Sequence, residues 1–274
     1  MLVLVLSFVF ALNLSYIAFA ATADGASTTA TYGSHAYTSY NRIITNSSGV
    51  QAGTSITCSP TCSSGQIGIY PLLQNSDFLI VKSIGWVYNS TNNCTGIYTT
   101  TGVHPATSGT FYSGGTSQGW NDSNNRFYGL SVPLSPGLTV GSSASGGTGI
   151  YGVNENGQTY GKITNETDLM DCPDLIGAVG LDGTVGFVLS KDLLYSRTPA
   201  SPEEAAALMN NKEHIQGRMI NLYDSDGVTV IGQFFANSLI GVTVHENGIT
   251  TTYNEDGTIV TTYDDGRKDV TRWR

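Results

Sequence analysis

Apolar and polar residues alternate along the first half of this chain in short runs, each broken by Gly, Asn or Ser. Alternation with a period of two marks strands that bury one face. The runs predict strands over Ala36–Thr45, Gly53–Thr57, Gln66–Leu73, Leu79–Tyr88, Gly109–Tyr112 and Phe127–Val132. No helical period interrupts them. Short strands at this spacing predict an antiparallel, sandwich-like domain over residues 24–141. The tract from Gly141 to Gly149, GSSASGGTG, has the composition of a flexible linker and sets a boundary at 142–149.

A second pattern begins at Ile150. Turn signals at Asn156-Gly157 and Asp182-Gly183 flank predicted strands over Asp174–Val179 and Val185–Leu189, because Asn-Gly and Asp-Gly favour the positive φ of tight hairpin turns. Ser201-Pro202-Glu203-Glu204 supplies an N-cap, a proline at the first helical position and a capping glutamate. It predicts one helix over 202–214, with Ala206, Leu208 and Met209 packed on a sheet. The run MINLYDSDGVTVIGQFF then predicts a hairpin turning at Asp226-Gly227.

The tail, 241–274, is a small repeat. Gly248, Gly257 and Gly266 recur every nine residues and Tyr253, Tyr263 and Trp273 every ten. Threonine-rich runs between such turns predict a three- or four-stranded meander with its aromatics on one face, docked on another element. The expected fold is therefore mostly β: two antiparallel β domains plus the meander. The second domain, 150–240, is SH3-like or hairpin-rich with one short helix.

Composition sharpens this picture. Only 12% of residues are charged, and the net charge is −9. Residues 24–150 hold three acids (Asp24, Asp77, Asp122) and three bases (Arg42, Lys82, Arg126), so the excess of acid lies beyond them. An acidic half without a basic stripe excludes nucleic acid as the expected partner. The opening MLVLVLSFVFALNLSYIAFA resembles a secretory signal peptide over 1–20, with Ala18-Phe19-Ala20 as a cleavage site and no basic n-region. No later run is long and apolar enough to span a bilayer, so a secreted chain is expected, either soluble outside the cell or held at the cell wall by binding.

Chemistry-bearing motifs are sparse. Asp224-Ser225-Asp226-Gly227 begins like an EF-hand calcium loop, but Phe235 stands where the twelfth-position glutamate belongs, and a hairpin turn explains the same residues. His35, His104, His214 and His245 fall in four different elements without metal-ligand spacing. No cofactor motif occurs. No Gly-x-Ser-x-Gly marks a nucleophile elbow. The Asn-x-Ser/Thr triplets at Asn46, Asn89, Asn93, Asn121 and Asn165 carry no weight in a chain so rich in these residues.

The words NENGQTYG, PDLIGAVGLDGTVGFVLSKDL, SPEEAAALM and INLYDSDGVTVIGQF resemble a module of uncharacterised exported proteins of Gram-positive bacteria, over about residues 150–235. The first domain, with TYGSHAYTSY and VKSIGWVYN, resembles their N-terminal regions more weakly. The likeness implies a bacterial, exported, non-enzymatic protein. DLIGAVGLDGTVGFVLSKDL also resembles the closing hairpin of bacterial SH3 domains: Asp182-Gly183, then Gly186-Phe187-Val188, then a helical turn at Lys191-Asp192-Leu193. Their usual opening strand is absent. That likeness implies binding of cell-wall peptide or glycan.

The expected function is thus a non-catalytic surface protein that binds the envelope or another surface protein through exposed aromatics: Trp86, Trp120, Tyr151, Tyr160 and Trp273. Alternatives are a wall hydrolase, with acids such as Glu155 or Glu166 in a cleft, and a secreted antagonist. Four cysteines allow three complete pairings in an exported chain. A hairpin centred on Ser76 places Cys58 opposite Cys94, the expected disulfide, with Cys62–Cys94 the second choice and Cys172 unpaired or joined to the leftover cysteine.

Overall fold

The computed structural model describes residues 20–141, 152–164, 172–194 and 199–273. The signal segment, the linker tract 142–149, Tyr151 and Glu166 lie outside these residues. The first part supplies β1 (Ala21–Asp24), β2 (Thr28–Tyr32), β3 (His35–Asn46), β4 (Gly49–Cys62), β5 (Ile67–Asn75) and β6 (Ile80–Ser83). β7 (Val87–Tyr88), β8 (Cys94–Thr100), β9 (Gly109–Asn121), β10 (Arg126–Ser131) and β11 (Leu138–Val140) follow. Then come β12 (Gly152–Val153), β13 (Thr159–Gly161), β14 (Leu175–Val179) and β15 (Val185–Leu189). Three short helices follow: α1 (Ser190–Leu193), α2 (Pro202–Leu208) and α3 (Lys212–Gln216). The last strands are β16 (Arg218–Tyr223), β17 (Val230–Ala236), β18 (Thr243–Glu246), β19 (Ile249–Tyr253), β20 (Thr258–Thr262) and β21 (Lys268–Arg272).

The fold is mostly β, as its alternation predicts, and the strands form two wide sheets. One runs β1-β3-β4-β8-β18-β19-β20-β21, with β2 also on β3. The other runs β10-β9-β5-β6-β14-β15-β16-β17 and carries β7, β11, β12 and β13 off that path. Pairing is antiparallel except for β13 with β14 and β14 with β6. Among the described residues no closed barrel forms. Residues on both sides of 142–151 belong to each sheet: β14 joins β6 at Ala178 and Ile80, and β18 joins β8 from Val244–Thr99 to Glu246–Ile97. One apolar core spans them, from Tyr37, Ile69 and Tyr88 to Leu222, Phe234 and Tyr253.

The two sheets pack face to face where β3 and β4 meet β9 and β5. Gly115 and Gly119 make this possible: a Cβ on Gly115 would lie 2.6 Å from Thr54 Oγ1, and one on Gly119 would lie 2.6 Å from the Tyr37 ring. The buried polar groups there are paired. Asn41 accepts from Thr54 Oγ1 at 2.7 Å and donates to the carbonyls of Gly115, Val132 and Pro133. Ser113 Oγ donates to Gly53 O at 2.9 Å.

The tail forms the expected meander, β18 to β21, and it docks on β8. Its first turn, Asn247-Gly248, has φ of +48° and +81°, the backbone that two-residue hairpins need. The predicted helix 202–214 is instead two helices. Ser201 Oγ accepts from Glu204 N at 3.3 Å to start α2, but Asn211 restarts the chain as the N-cap of α3, accepting from His214 N at 3.0 Å. Asparagine competes with the helical backbone in this way and favours caps over interiors.

The predicted strand Leu79–Tyr88 is likewise split, because Gly85 (φ +79°) bends the chain between β6 and β7. The hairpin register is shifted before that bend, at an irregularity between Leu73 and Gln74, and Leu72 faces Ser83 where a symmetric hairpin about Ser76 would place Ile80. Ile69 faces Val87, where a symmetric hairpin about Ser76 would place Ser83. β4 also runs on to Cys62, with its register to β8 shifting between Thr57 and Cys62. Cys62, not Cys58, therefore stands opposite Cys94. The disulfide joins Cys58 to Cys62 along one strand, and Cys94 is a free, buried thiol. The expected Cys58–Cys94 bridge is thus replaced.

Candidate functional site

A cavity of about 360 Å³ opens where β5, the Gly85 bend, the end of α1, α3 and the start of β16 meet. That volume falls in the range of small-ligand sites. Tyr70 comes from β5, Trp86 from the residue after the bend, Glu213 and His214 from α3, Arg218 from the first position of β16 and Asn237 from the turn after β17.

The walls are held by a hydrogen-bond network. Tyr70 Oη donates to Asn237 Oδ1 at 2.6 Å and lies 2.9 Å from Leu193 O. Asn237 Nδ2 donates to Leu193 O at 2.9 Å, and Ser83 Oγ donates to Asn237 Oδ1 at 3.1 Å. Burial pushes the Tyr70 phenol well above its ordinary range, so it remains a neutral donor. His214 Nε2 lies 2.8 Å from Trp86 O, which only accepts; that nitrogen therefore carries a proton. Asn237 has φ of +64°, an uncommon backbone for a residue with a side chain, and its neighbours fix it there.

Two residues of this lining each carry a buried donor with no acceptor among the described residues. Trp86 is 6% exposed, and its indole Nε1–H has no acceptor among the described residues. Arg218 Nη2 donates to Asp192 O, but Arg218 Nε, also buried, has no acceptor. A buried donor without an acceptor costs about 1–3 kcal/mol, more for a charged group. Both donors belong to residues that line the cavity, so a side-chain adjustment that turns them inward would suit an oxygen-bearing guest: a carboxylate, an amide carbonyl or a sugar hydroxyl.

The structure separates the expected aromatic contacts. Trp86 and Trp120 are buried at 6% and 9% exposure, so neither is an exposed stacking face. Trp86 lines the cavity, and Trp120 packs against Phe127 with ring centroids 5.0 Å apart. Trp120 lies at the buried end of β9, and Trp86 lies between β6 and β7, packed against Tyr70 and Tyr88. Tyr160 is half-buried, edge-on to Phe187 at 5.6 Å, and Trp273 is half-buried against the core. These aromatics are not gathered into one site.

Glu155 sits on the exposed turn between β12 and β13, away from the cavity lining, whose carboxylate is Glu213. The cavity residues His214 and Arg218 carried no motif. Their only signal is local: His214 lies two residues before the end of α3, and Gly217 (φ +70°) turns the chain directly into Arg218.

A scan against protein-family models finds no match for this chain, and searches of curated proteins and of solved structures find none either.

Proposed function

We propose that this chain is an exported, non-catalytic protein of the bacterial cell surface that binds a cell-wall peptide or glycan group in the Trp86–Arg218 cavity. The observation that supports it is that two residues of the lining, Trp86 and Arg218, each carry a buried donor, Nε1 and Nε, with no acceptor among the described residues. Wall peptides carry carboxylates and amides, and wall glycans carry hydroxyls and acetamido carbonyls. Either kind of oxygen answers an indole N–H and a guanidinium N–H, and a guanidinium suits a carboxylate best. The signal-like opening segment and the likeness to exported Gram-positive modules support the location.

Co-sedimentation with purified Gram-positive cell walls tests this reading. Wild-type protein is expected to pellet with the walls, and Trp86→Phe and Arg218→Met to weaken binding tenfold or more while thermal melting confirms that they fold. Equal binding by folded variants overturns the cavity as the site. Release of soluble muropeptides overturns the non-catalytic reading in favour of a hydrolase.

A further inference from the structure

The disulfide end of the first sheet gathers a second chemical set. Ala36 on β3 is the register partner of Ser59 on β4, so His35 stands beside the stretch between Cys58 and Cys62. One ring nitrogen of His35 and the Sγ atoms of Cys58 and Cys62 all lie within 4.8 Å of one another. Cys58 and Cys62 are buried at 6% and 1% exposure. Zinc takes thiolates at about 2.3 Å and imidazole at about 2.0–2.1 Å, so its tetrahedral ligand atoms stand roughly 3.5–3.8 Å apart. Three atoms gathered within 4.8 Å need only small side-chain shifts to meet that geometry, once the two sulfurs are no longer bonded to each other.

The histidine is prepared for the role. Ser34 Oγ donates its proton to Asp122 Oδ2 at 2.6 Å, so its contact with His35 Nδ1, 3.2 Å long, must be accepted from an Nδ1–H. In the neutral imidazole, that arrangement leaves the Nε2 lone pair for a metal. A partner that accepts from the other ring N–H and so fixes the ring is the usual support behind a metal-bound histidine; here the Ser34 hydroxyl, itself held by Asp122, takes that place.

We propose that His35, Cys58 and Cys62 form a redox-gated site for a soft divalent cation, zinc by preference. In the oxidised state the S–S bond occupies both sulfur ligands and the site is closed. A dithiol reductant supplies two electrons and two protons, breaks the Cys58–Cys62 bond and is itself oxidised to a disulfide. The cation then displaces the two thiol protons and takes two thiolates and the imidazole, with a fourth position left to solvent. Cys94 is outside the set: its thiol contacts Gly96 O at 3.5 Å.

Full-length protein is reduced with dithiothreitol, desalted without oxygen and mixed with Zn²⁺, or with Co²⁺ as a coloured reporter. Reduced wild-type protein and Cys94→Ser are expected to retain one metal per chain, with a thiolate-to-cobalt absorption band. Oxidised protein should retain none. Ser34→Ala should weaken binding about 10- to 100-fold by freeing the imidazole, and His35→Ala should weaken it further. If reduction loosens the fold, Zn²⁺ should restore the near-UV circular dichroism. Failure to bind or to restore, or equal binding by the Cys58→Ser Cys62→Ser double variant, overturns the site.

Discussion

Ser90 gives both its backbone N–H and its hydroxyl to one carboxylate oxygen of Glu246, each at 2.9 Å, across 156 positions of sequence. Thr91 does the same to the other oxygen. Glu246 is 5% exposed and ends β18, so it fastens the meander to the loop before β8. Glu246→Ala strands two backbone N–H groups and two hydroxyls, and urea unfolding should show a loss of roughly 3 kcal/mol. Glu246→Gln keeps one accepting oxygen and should lose about half as much. An alanine variant as stable as wild type contradicts this.

The cysteines should behave in three ways. Peptide mapping without reduction should recover Cys58 joined to Cys62. Cys94 is fully buried, and burial, with Glu246 beside it, pushes its thiol up to about 12. Iodoacetamide at pH 8 should therefore label the half-buried Cys172 first and reach Cys94 only after denaturation.

His104 gives the fold an acid-sensitive point. Burial, and then the charge of Lys82, hold its pKa below the usual 6.5. The unfolded chain thus takes up this proton more readily than the folded one. The contribution is fully present above pH 6.5 and is lost as pH falls through the lower folded value. His104→Gln should flatten that part of the stability profile between pH 7.5 and 5. An unchanged slope in urea titrations places the effect elsewhere.

A specific protease site inserted into 142–149 distinguishes separable modules from a shared body. Because β14 pairs with β6 and β18 with β8, the cut fragments should co-elute on a sizing column and part only in denaturant. Fragments that separate in native buffer would mean the cross-boundary pairings are weak.

Strand pattern and turn chemistry were readable where alternation was clean. Val185–Leu189 ends where the alternation ends, and Asn247-Gly248 turns where a hairpin demands positive φ. β9 was cut short at Tyr112 because its continuation, SGGTSQGW, buries glycines and paired hydroxyls that read as loop. Cys94–Thr100 escaped for a similar reason: its polar threonines face a partner strand whose arrival no local pattern announces. The candidate cavity was illegible because it depends on β5, α3 and β16 meeting in space. The expected Cys58–Cys94 bridge does not form because of one irregularity between Leu73 and Gln74 and one register shift in β4, features a symmetric hairpin cannot express.

The pairing of β18 with β8 also sets an order of assembly. A ribosome completes residues 94–100 long before 243–246 exist, so the growing chain carries β8 with one row of amides and carbonyls open. The first sheet cannot close behind the moving chain; it must wait for the far end. Until then, that open row can template pairing with another chain. A translation product halted before residue 243 would keep that edge permanently and should gather into aggregates that the finished protein avoids.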